Sequence, residues 1–406
     1  MRTSSIFSPE EIAAFRKDTT GTANVIHLNN AGAGLMPDIV ARTIREHISL
    51  ESNIGGYEAA AMRAALIGDF YVQAGKLLNC KASNIAFTSS ATDSYTRALS
   101  SIPFQHGDVI LTDNDDFISN QIQFLSCGKR FGIRIERIKN APEGGVDLDD
   151  LERQLAKHQP RLLAITHIPT NAGLVQPVKS IGDIYGRYEQ SHPGKTWYIL
   201  DACQSVGQLP LDVKELQCDF LSATARKFLR GPRGTGFLYI SDKALQFGLE
   251  PLFIDMRGAE WIEKDCYQPR EDAMRYEDWE FAYALVLGTG AAIEYCLDIG
   301  PDRIGRQVRR LADHMRQELS SLDKVRVLDK GPELGGLVTF TVKGAQPQYL
   351  VNELLKRKIN VVPSYRNFAI IDFDEKGVEW ALRASPHYYN TQEEIQEFLS
   401  ALKDII

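Results

Sequence analysis

A lysine, an acid and a hydroxyl-rich turn are the residues of this 406-residue chain whose types and spacing suggest chemistry. Lys227 lies in Ser222-Ala223-Thr224-Ala225-Arg226-Lys227, ahead of a stretch carrying Gly231, Gly234 and Gly236. Lysine is the Schiff-base residue, and its ammonium shifts pKa readily when partly buried. Asp201 ends the apolar run Trp197–Leu200, some 26 residues earlier. A carboxylate at the exit of a buried strand needs a partner. The turn Thr88-Ser89-Ser90-Ala91-Thr92 follows another apolar run and opens a helical pattern. Free backbone N–H groups and hydroxyls at a helix N-terminus suit a phosphate. Each feature alone has a plainer reading: an ion pair or N-cap for Asp201, a solvated basic connection for the glycine-rich stretch, a capped helix for the turn. Neither GxxxxGK[ST] nor GxGxxG before a helix is present.

Taken together, the three features supply an anion cradle, an acid and an amine. Pyridoxal 5′-phosphate needs that set, for its phosphate, its ring nitrogen and its aldehyde.

Groups this far apart in sequence must be delivered by neighbouring elements. β-rich runs occur at 84–87, 108–112, 134–138, 162–167, 197–201 and 236–240. Helical patterns lie between them, through Leu148, Leu151 and Leu155 and through Ile181, Ile184, Tyr185 and Tyr188. Strands alternating with helices predict a mostly parallel α/β sheet covered on both faces, with ligands beyond the strands' carboxyl ends. Past residue 290 the pattern changes. A long helix carries Ile304, Val308, Leu311, Met315 and Leu319, short strands follow, and a final helix opens with the capping-box pair Thr391 and Glu394. The expected division is a large cofactor-binding domain over 20–285 and a smaller α+β C-terminal domain over 286–406. Residues 1–19, with a helix starting at Ser8 and Pro9, are expected to pack with the latter.

Composition excludes several classes of function. Apolar residues make up 44% and charged residues 24%, which is globular. The net charge of −7 with no basic block speaks against nucleic acid or an anionic membrane as partner. No run of 18 apolar residues exists, so no membrane span is expected, and the N-terminus shows no apolar leader pattern. The six cysteines form no CxxC pair, and the eight histidines no HExxH. The expectation is a cytoplasmic protein with reduced thiols and no metal.

The chain resembles the class V aminotransferase-fold enzymes that use pyridoxal phosphate. These include cysteine desulfurases, selenocysteine lyases, isopenicillin N epimerase-like proteins and cysteine or cystine C–S lyases. The resemblance rests on Asp201-x-x-Gln204-Ser205 followed by Lys227 and Gly231-Pro232-x-Gly234-x-Gly236. It runs from His27-Leu28-Asn29-Asn30-Ala31-Gly32 to Arg383-Ala384-Ser385-Pro386-His387 and on to Thr391. It implies the fold type I (aspartate aminotransferase) architecture, a homodimer and an amino acid as the small-molecule substrate. It also implies roles. Lys227 joins the cofactor and moves the substrate's Cα proton. Asp201 pairs with the ring nitrogen. Gln204 bonds the ring oxygen O3′, with Asn171 or Thr170. Ala91, Thr92 and Thr224 hold the phosphate, joined by Arg226, which stands where many relatives have His. Phe117 stacks on the ring. Arg383 clamps the substrate carboxylate, assisted by Asn30.

Two departures from the family pattern stand out. Cysteine desulfurases carry a persulfide-forming cysteine ahead of the late Arg-Ala-Ser stretch. Here that region reads Val362-Pro363-Ser364-Tyr365-Arg366-Asn367-Phe368, and the last cysteine is Cys296. Glu280 stands where relatives often offer a threonine to the partner's phosphate. The expected reaction is therefore β-elimination from a cysteine derivative, a lyase, with epimerase or aminotransferase as alternatives. Arg275, Tyr276 and Trp279 either reach the neighbouring subunit or form core, Tyr57 either lines the pocket or packs, and Tyr365 and Arg366 are candidates for substrate selection.

Overall fold

The computed structural model describes residues 5–406. Seven strands form the main sheet, in the order Ile85–Thr88, Gly236–Ile240, Phe220–Thr224, Trp197–Asp201, Leu162–Thr166, Val109–Thr112 and Arg134–Arg137. Gly236–Ile240 runs antiparallel to both neighbours, and the pairings from Phe220–Thr224 to Arg134–Arg137 are all parallel. Every residue of Leu162–Thr166, Trp197–Asp201 and Phe220–Thr224 is buried. Helices cover both faces, and unbroken apolar runs such as Leu162-Leu163-Ala164-Ile165 are what that burial demands.

Phe220–Thr224 was not among the strands expected from sequence. Its Ser222, Ala223 and Thr224 weaken the apolar signal, yet it pairs on both sides and leads directly to Lys227.

A second, antiparallel sheet has the order Val325–Val327, Val338–Val342, Trp380–Ala384 and Val362–Tyr365. It packs with Pro301–Ser320 and Gln392–Ile405 around Leu311, Met315, Phe340, Leu382 and Phe398. Ser8 and Glu11, and Thr391 and Glu394, form capping boxes at the first and last helices. Phe7 packs against Phe15 and Tyr388, and Arg16 bonds Glu394 at 2.7 Å. Of the N-terminal stretch, residues 1–4 lie outside the described residues.

Two segments sit across the sequence-based division. Tyr283–Ile299 contacts Asp38–Ile54 and Ala64–Leu78 and buries Val286 and Ile293 in the core of the large sheet. Ile26–His27 pairs with Ile359–Asn360, and Ser385 N–H donates to Leu28 O at 2.7 Å. The turn after Leu28 is thereby carried to the C-terminal sheet, beside Arg383.

Candidate active site

Lys227 follows the Phe220–Thr224 strand in a loop closed by Gly231 N–H on Ala225 O at 2.8 Å. Arg230 takes a left-handed φ of 63°, and its buried guanidinium bonds Leu35 O at 2.7 Å, Thr19 Oγ1 at 2.6 Å and the Tyr388 hydroxyl. The loop is thus locked to three other segments. Lys227 is only 7% exposed, with Nζ 5.9 Å from the centroid of the Phe117 ring. Burial pushes its pKa down; Cys203 and Asp201 oppose this, while Arg226 and Arg383 add to it.

Asp201 ends its strand with both carboxylate oxygens engaged. Oδ2 accepts from Asn120 Nδ2 at 3.1 Å and Oδ1 from Cys203 N–H at 2.9 Å. Asn120 is held in turn by Asp116, whose Oδ1 also accepts from Thr166 Oγ1 at 2.6 Å and Phe117 N–H at 2.7 Å. Asp113, Asp116 and Asp201 are therefore buried close together, and burial raises the pKa of the first two. Asp116 and Asn120 were missed from sequence. The signal was the run Asp113-Asn114-Asp115-Asp116, directly after the Val109–Thr112 strand.

Gln204 donates to Ala31 O at 3.1 Å and Thr170 Oγ1 at 3.2 Å, leaving Oε1 buried without a partner. Thr170 is thus the one of the two candidates beside Gln204. Asn171 faces the C-terminal unit instead, accepting from the Ser364 hydroxyl and donating to Phe368 O at 3.4 Å.

Ala91 and Thr92 open the Ala91–Ser101 helix, whose N-cap Ser90 accepts from Asp93 N–H at 3.0 Å. The Ser222 hydroxyl bonds Ala91 O at 3.0 Å, and Thr224 lies on the same strand. Gly236 lets the adjoining strand come this close: a Cβ there would stand 2.6 Å from Ser90 C and 2.8 Å from Ala91 N.

The turn 29–32 organises the opposite side. Arg383 is buried and donates to Thr170 O at 3.2 Å and to Asn29 Oδ1 at 3.3 Å, and its Nε has no partner. Burial and then Arg226 depress its pKa to about 10. Arg226 bonds Gly32 O. Asn30 is engaged within the protein. Its Nδ2 donates to Ser385 O at 2.8 Å and its Oδ1 accepts from the Tyr389 hydroxyl at 2.5 Å, so it pins the turn.

Other expectations change too. Arg275 and Tyr276 are core: Arg275 bonds Leu249 O at 3.1 Å and Arg270 O at 2.7 Å, and Tyr276 bonds Leu249 O at 3.0 Å. Trp279 and Tyr57 are exposed, and so is Glu280. Arg366 is paired with Asp374, Nη2 to Oδ2 at 2.8 Å, rather than facing the cleft unpaired.

The residues present fit pyridoxal phosphate. A buried lysine, an orphaned guanidinium nitrogen, an orphaned amide oxygen and an open helix N-terminus converge beyond the carboxyl ends of the strands.

Comparison with known proteins agrees. Residues 25–398 match the family described as aminotransferase class-V. A protein of Pyrococcus abyssi named probable cysteine desulfurase is 28% identical over 407 residues, covering 98% of each chain. The apo structure of a cysteine desulfurase from Thermococcus onnurineus is similar with a TM-score of 0.88 and 26% identity, over 100% of this chain and 99% of that one. The cystine C–S lyase C-DES, solved with its product cysteine persulfide, shares the fold with a TM-score of 0.83 at 24% identity, over 95% and 99% of the two chains.

Proposed function

The chain belongs to the class V aminotransferase family and is a pyridoxal-phosphate-dependent enzyme of fold type I; from that premise we propose a lyase that cleaves a cysteine derivative by β-elimination. When bound, the cofactor supplies an electron sink next to the substrate's Cα. The remaining work belongs to the chain. Arg383, whose fork has no carboxylate partner among the described residues, holds the substrate's α-carboxylate. Lys227, biased to the neutral amine by desolvation, accepts the Cα proton on Nζ. Asp201, oriented by Asn120 and Cys203 N–H, would pair with the ring nitrogen and keep its proton there. Phe117, beside Lys227, would cover the ring, and Ala91, Thr92, Thr224 and Arg226 would hold the phosphate.

One observation carries the elimination reading. Where the resemblance calls for a persulfide-forming cysteine, Ser364 is bonded to Asn171 and no thiol is present. The thiol beside Lys227, Cys203, is held protonated by burial and by Asp201, which makes it a poor nucleophile. Elimination needs neither, because sulfur leaves with the departing group.

The test is product analysis with cystine and S-substituted cysteines. Pyruvate and ammonia in step with released thiol support the reading. Alanine as the carbon product would replace it with desulfuration. Cα deuterium wash-in without net conversion would replace it with epimerisation, and turnover that requires a keto acid with transamination.

We further propose a homodimer in the cytoplasm. Phe253 (85%), Trp261 (78%), Tyr57 and Met62 are exposed apolar side chains of the kind a second copy would cover, and all six cysteines are free thiols. No helix among the described residues is long and apolar enough to cross a membrane.

A further inference from the structure

Asp93 stands in the first turn of the Ala91–Ser101 helix, whose N-terminus the pyridoxal-phosphate reading gives to a phosphate. Ser90 claims the next donors: its hydroxyl accepts from Asp93 N–H and its carbonyl from Ser94 N–H, both at 3.0 Å. Among the described residues, the N–H groups of Ala91 and Thr92 are therefore the ones left to a ligand. A carboxylate suits a helix N-terminus that faces water, because its charge complements the helix dipole. Beside a phosphate it is a liability, since two anions then share one end of one dipole and repel each other.

Arg97 answers that conflict. One turn further on, its Nε donates to Asp93 Oδ1 at 2.7 Å. Asp93 Oδ2 accepts from the N–H and the hydroxyl of Ser89, both at 3.1 Å, so each carboxylate oxygen is engaged on the helix's own side of the turn.

An exposed pair four residues apart on a helix holds its geometry weakly. This one is anchored from outside. The Arg97 side chain is 16% exposed, and its Nη1 donates to Tyr276 O at 3.0 Å and to Asp278 Oδ1 at 3.1 Å, while Nη2 bonds Asp278 Oδ2. Desolvation works against the guanidinium charge, and Asp278 and Asp93 together more than offset it. Between those anchors, Glu277 accepts Phe87 N–H at 2.8 Å, on the strand that leads into the turn. Residues 276–278 thus hold the turn 88–92 from both sides and fix Arg97 against Asp93.

We propose that Arg97 is a positioning residue for the cofactor: it neutralises Asp93 and so leaves the N-terminus of the Ala91–Ser101 helix receptive to a phosphate. The inference rests on the pyridoxal-phosphate reading and adds to it a residue that acts through Asp93 rather than by contact.

The test compares pyridoxal 5′-phosphate with pyridoxal, which lacks the phosphate. Each is titrated into the full-length protein freed of cofactor, with visible absorbance giving the dissociation constant and thermal melting checking the fold. Arg97→Gln should weaken pyridoxal 5′-phosphate about fivefold or more and pyridoxal by less than about twofold. Adding Asp93→Asn to Arg97→Gln should bring the phosphate compound back to within about twofold of the unsubstituted protein. Arg97→Lys, which keeps the charge but not the fork, should retain it to within about threefold.

An unchanged affinity in Arg97→Gln overturns the inference. So does equal weakening of both compounds, because Arg97 then serves the fold and not the phosphate. A deficit that Asp93→Asn does not relieve, or one as large in Arg97→Lys as in Arg97→Gln, also overturns it, because geometry rather than charge is then at work. If Arg97→Gln does not fold, Asp93→Asn alone decides: tightening of pyridoxal 5′-phosphate by about tenfold or more would mean that Arg97 leaves the carboxylate unneutralised. Absence of absorbance with either compound in the unsubstituted protein overturns the pyridoxal-phosphate reading itself, and the inference with it. Intact binding there, with any of the preceding outcomes, overturns the inference alone.

Discussion

Burial sets up a conflict at Lys227. An amine 7% exposed and flanked by two arginines is biased toward neutrality, and Asp201 and Cys203 only partly restore the charge. Lys227→Ala should abolish the visible absorbance of the lysine-bound cofactor and lower kcat by about 10³-fold or more, measured by spectrum and by pyruvate release. Arg383→Gln should raise KM about 10²-fold with a smaller change in kcat, because it removes a carboxylate contact made before and during reaction. Cys203→Ala should keep at least about half the activity in the pyruvate assay. A loss of about 10²-fold would mean that the thiol takes part. At this scale the sequence was most legible. Lys227, Asp201, Gln204 and Arg383, named from their types and order, lie near one another in the fold, and their roles are proposals. The bonds that occupy Asn30 were not legible, because side-chain type does not reveal which neighbour claims an amide first.

Elements place those residues by close approach. The strand Gly236–Ile240 abuts the start of the Ala91–Ser101 helix only because Gly236 has no Cβ. Gly236→Ala should displace the helix N-terminus and raise the cofactor's dissociation constant by about tenfold or more, read by equilibrium dialysis, with a loss of stability on the order of 1–3 kcal/mol.

The segment Asp113–Phe117 carries a second dependence. Asp115 is buried, and its pKa is pushed up to about 7, by burial first and then by Asp372, with Glu375 adding and Lys376 and Lys330 opposing. A carboxyl whose folded pKa is raised holds its proton in the fold while the unfolded chain has lost it. Stability contributed by that proton is full below about pH 4 and is lost as pH rises toward 7. Asp115→Asn should therefore raise Tm at pH 8 and leave it nearly unchanged at pH 4. An equal effect at both values would mean that burial of the charge is not the cause. Neither Gly236 nor Asp115 shows its constraint in sequence, since both depend on atoms from distant elements.

For the whole molecule, the apolar surface around Phe253 and Trp261 demands cover. The proposed dimer predicts that Trp261→Arg with Phe253→Asp will give a monomer in analytical ultracentrifugation, with weakened activity. A monomeric unsubstituted protein would remove the proposal. In the C-terminal unit Arg316 forms a buried ion pair with Asp329 at 2.8 Å, and Asp329 reaches the large unit by accepting Gly173 N–H at 3.1 Å. Asp329→Ala should destabilise the protein by about 1–3 kcal/mol in urea unfolding, because Arg316 loses its buried partner while keeping Asp313, and the loop behind Thr170 and Asn171 loses its anchor.

The sequence by itself determined the alternation of strands and helices and the cofactor class, and it singled out the acid and amine proposed to serve it. Those follow from local periodicity and from residue types that tolerate few other uses. The strand Phe220–Thr224 escaped because its pattern is too polar to signal burial, and only pairing on both sides makes it a strand. Tertiary structure alone decided that the turn 29–32 belongs beside Arg383 and that Asn120 and Asp116 back Asp201. Those are contacts between segments up to about 350 residues apart, and which distant partner claims a side chain is set by packing of the two sheets, which no local pattern encodes.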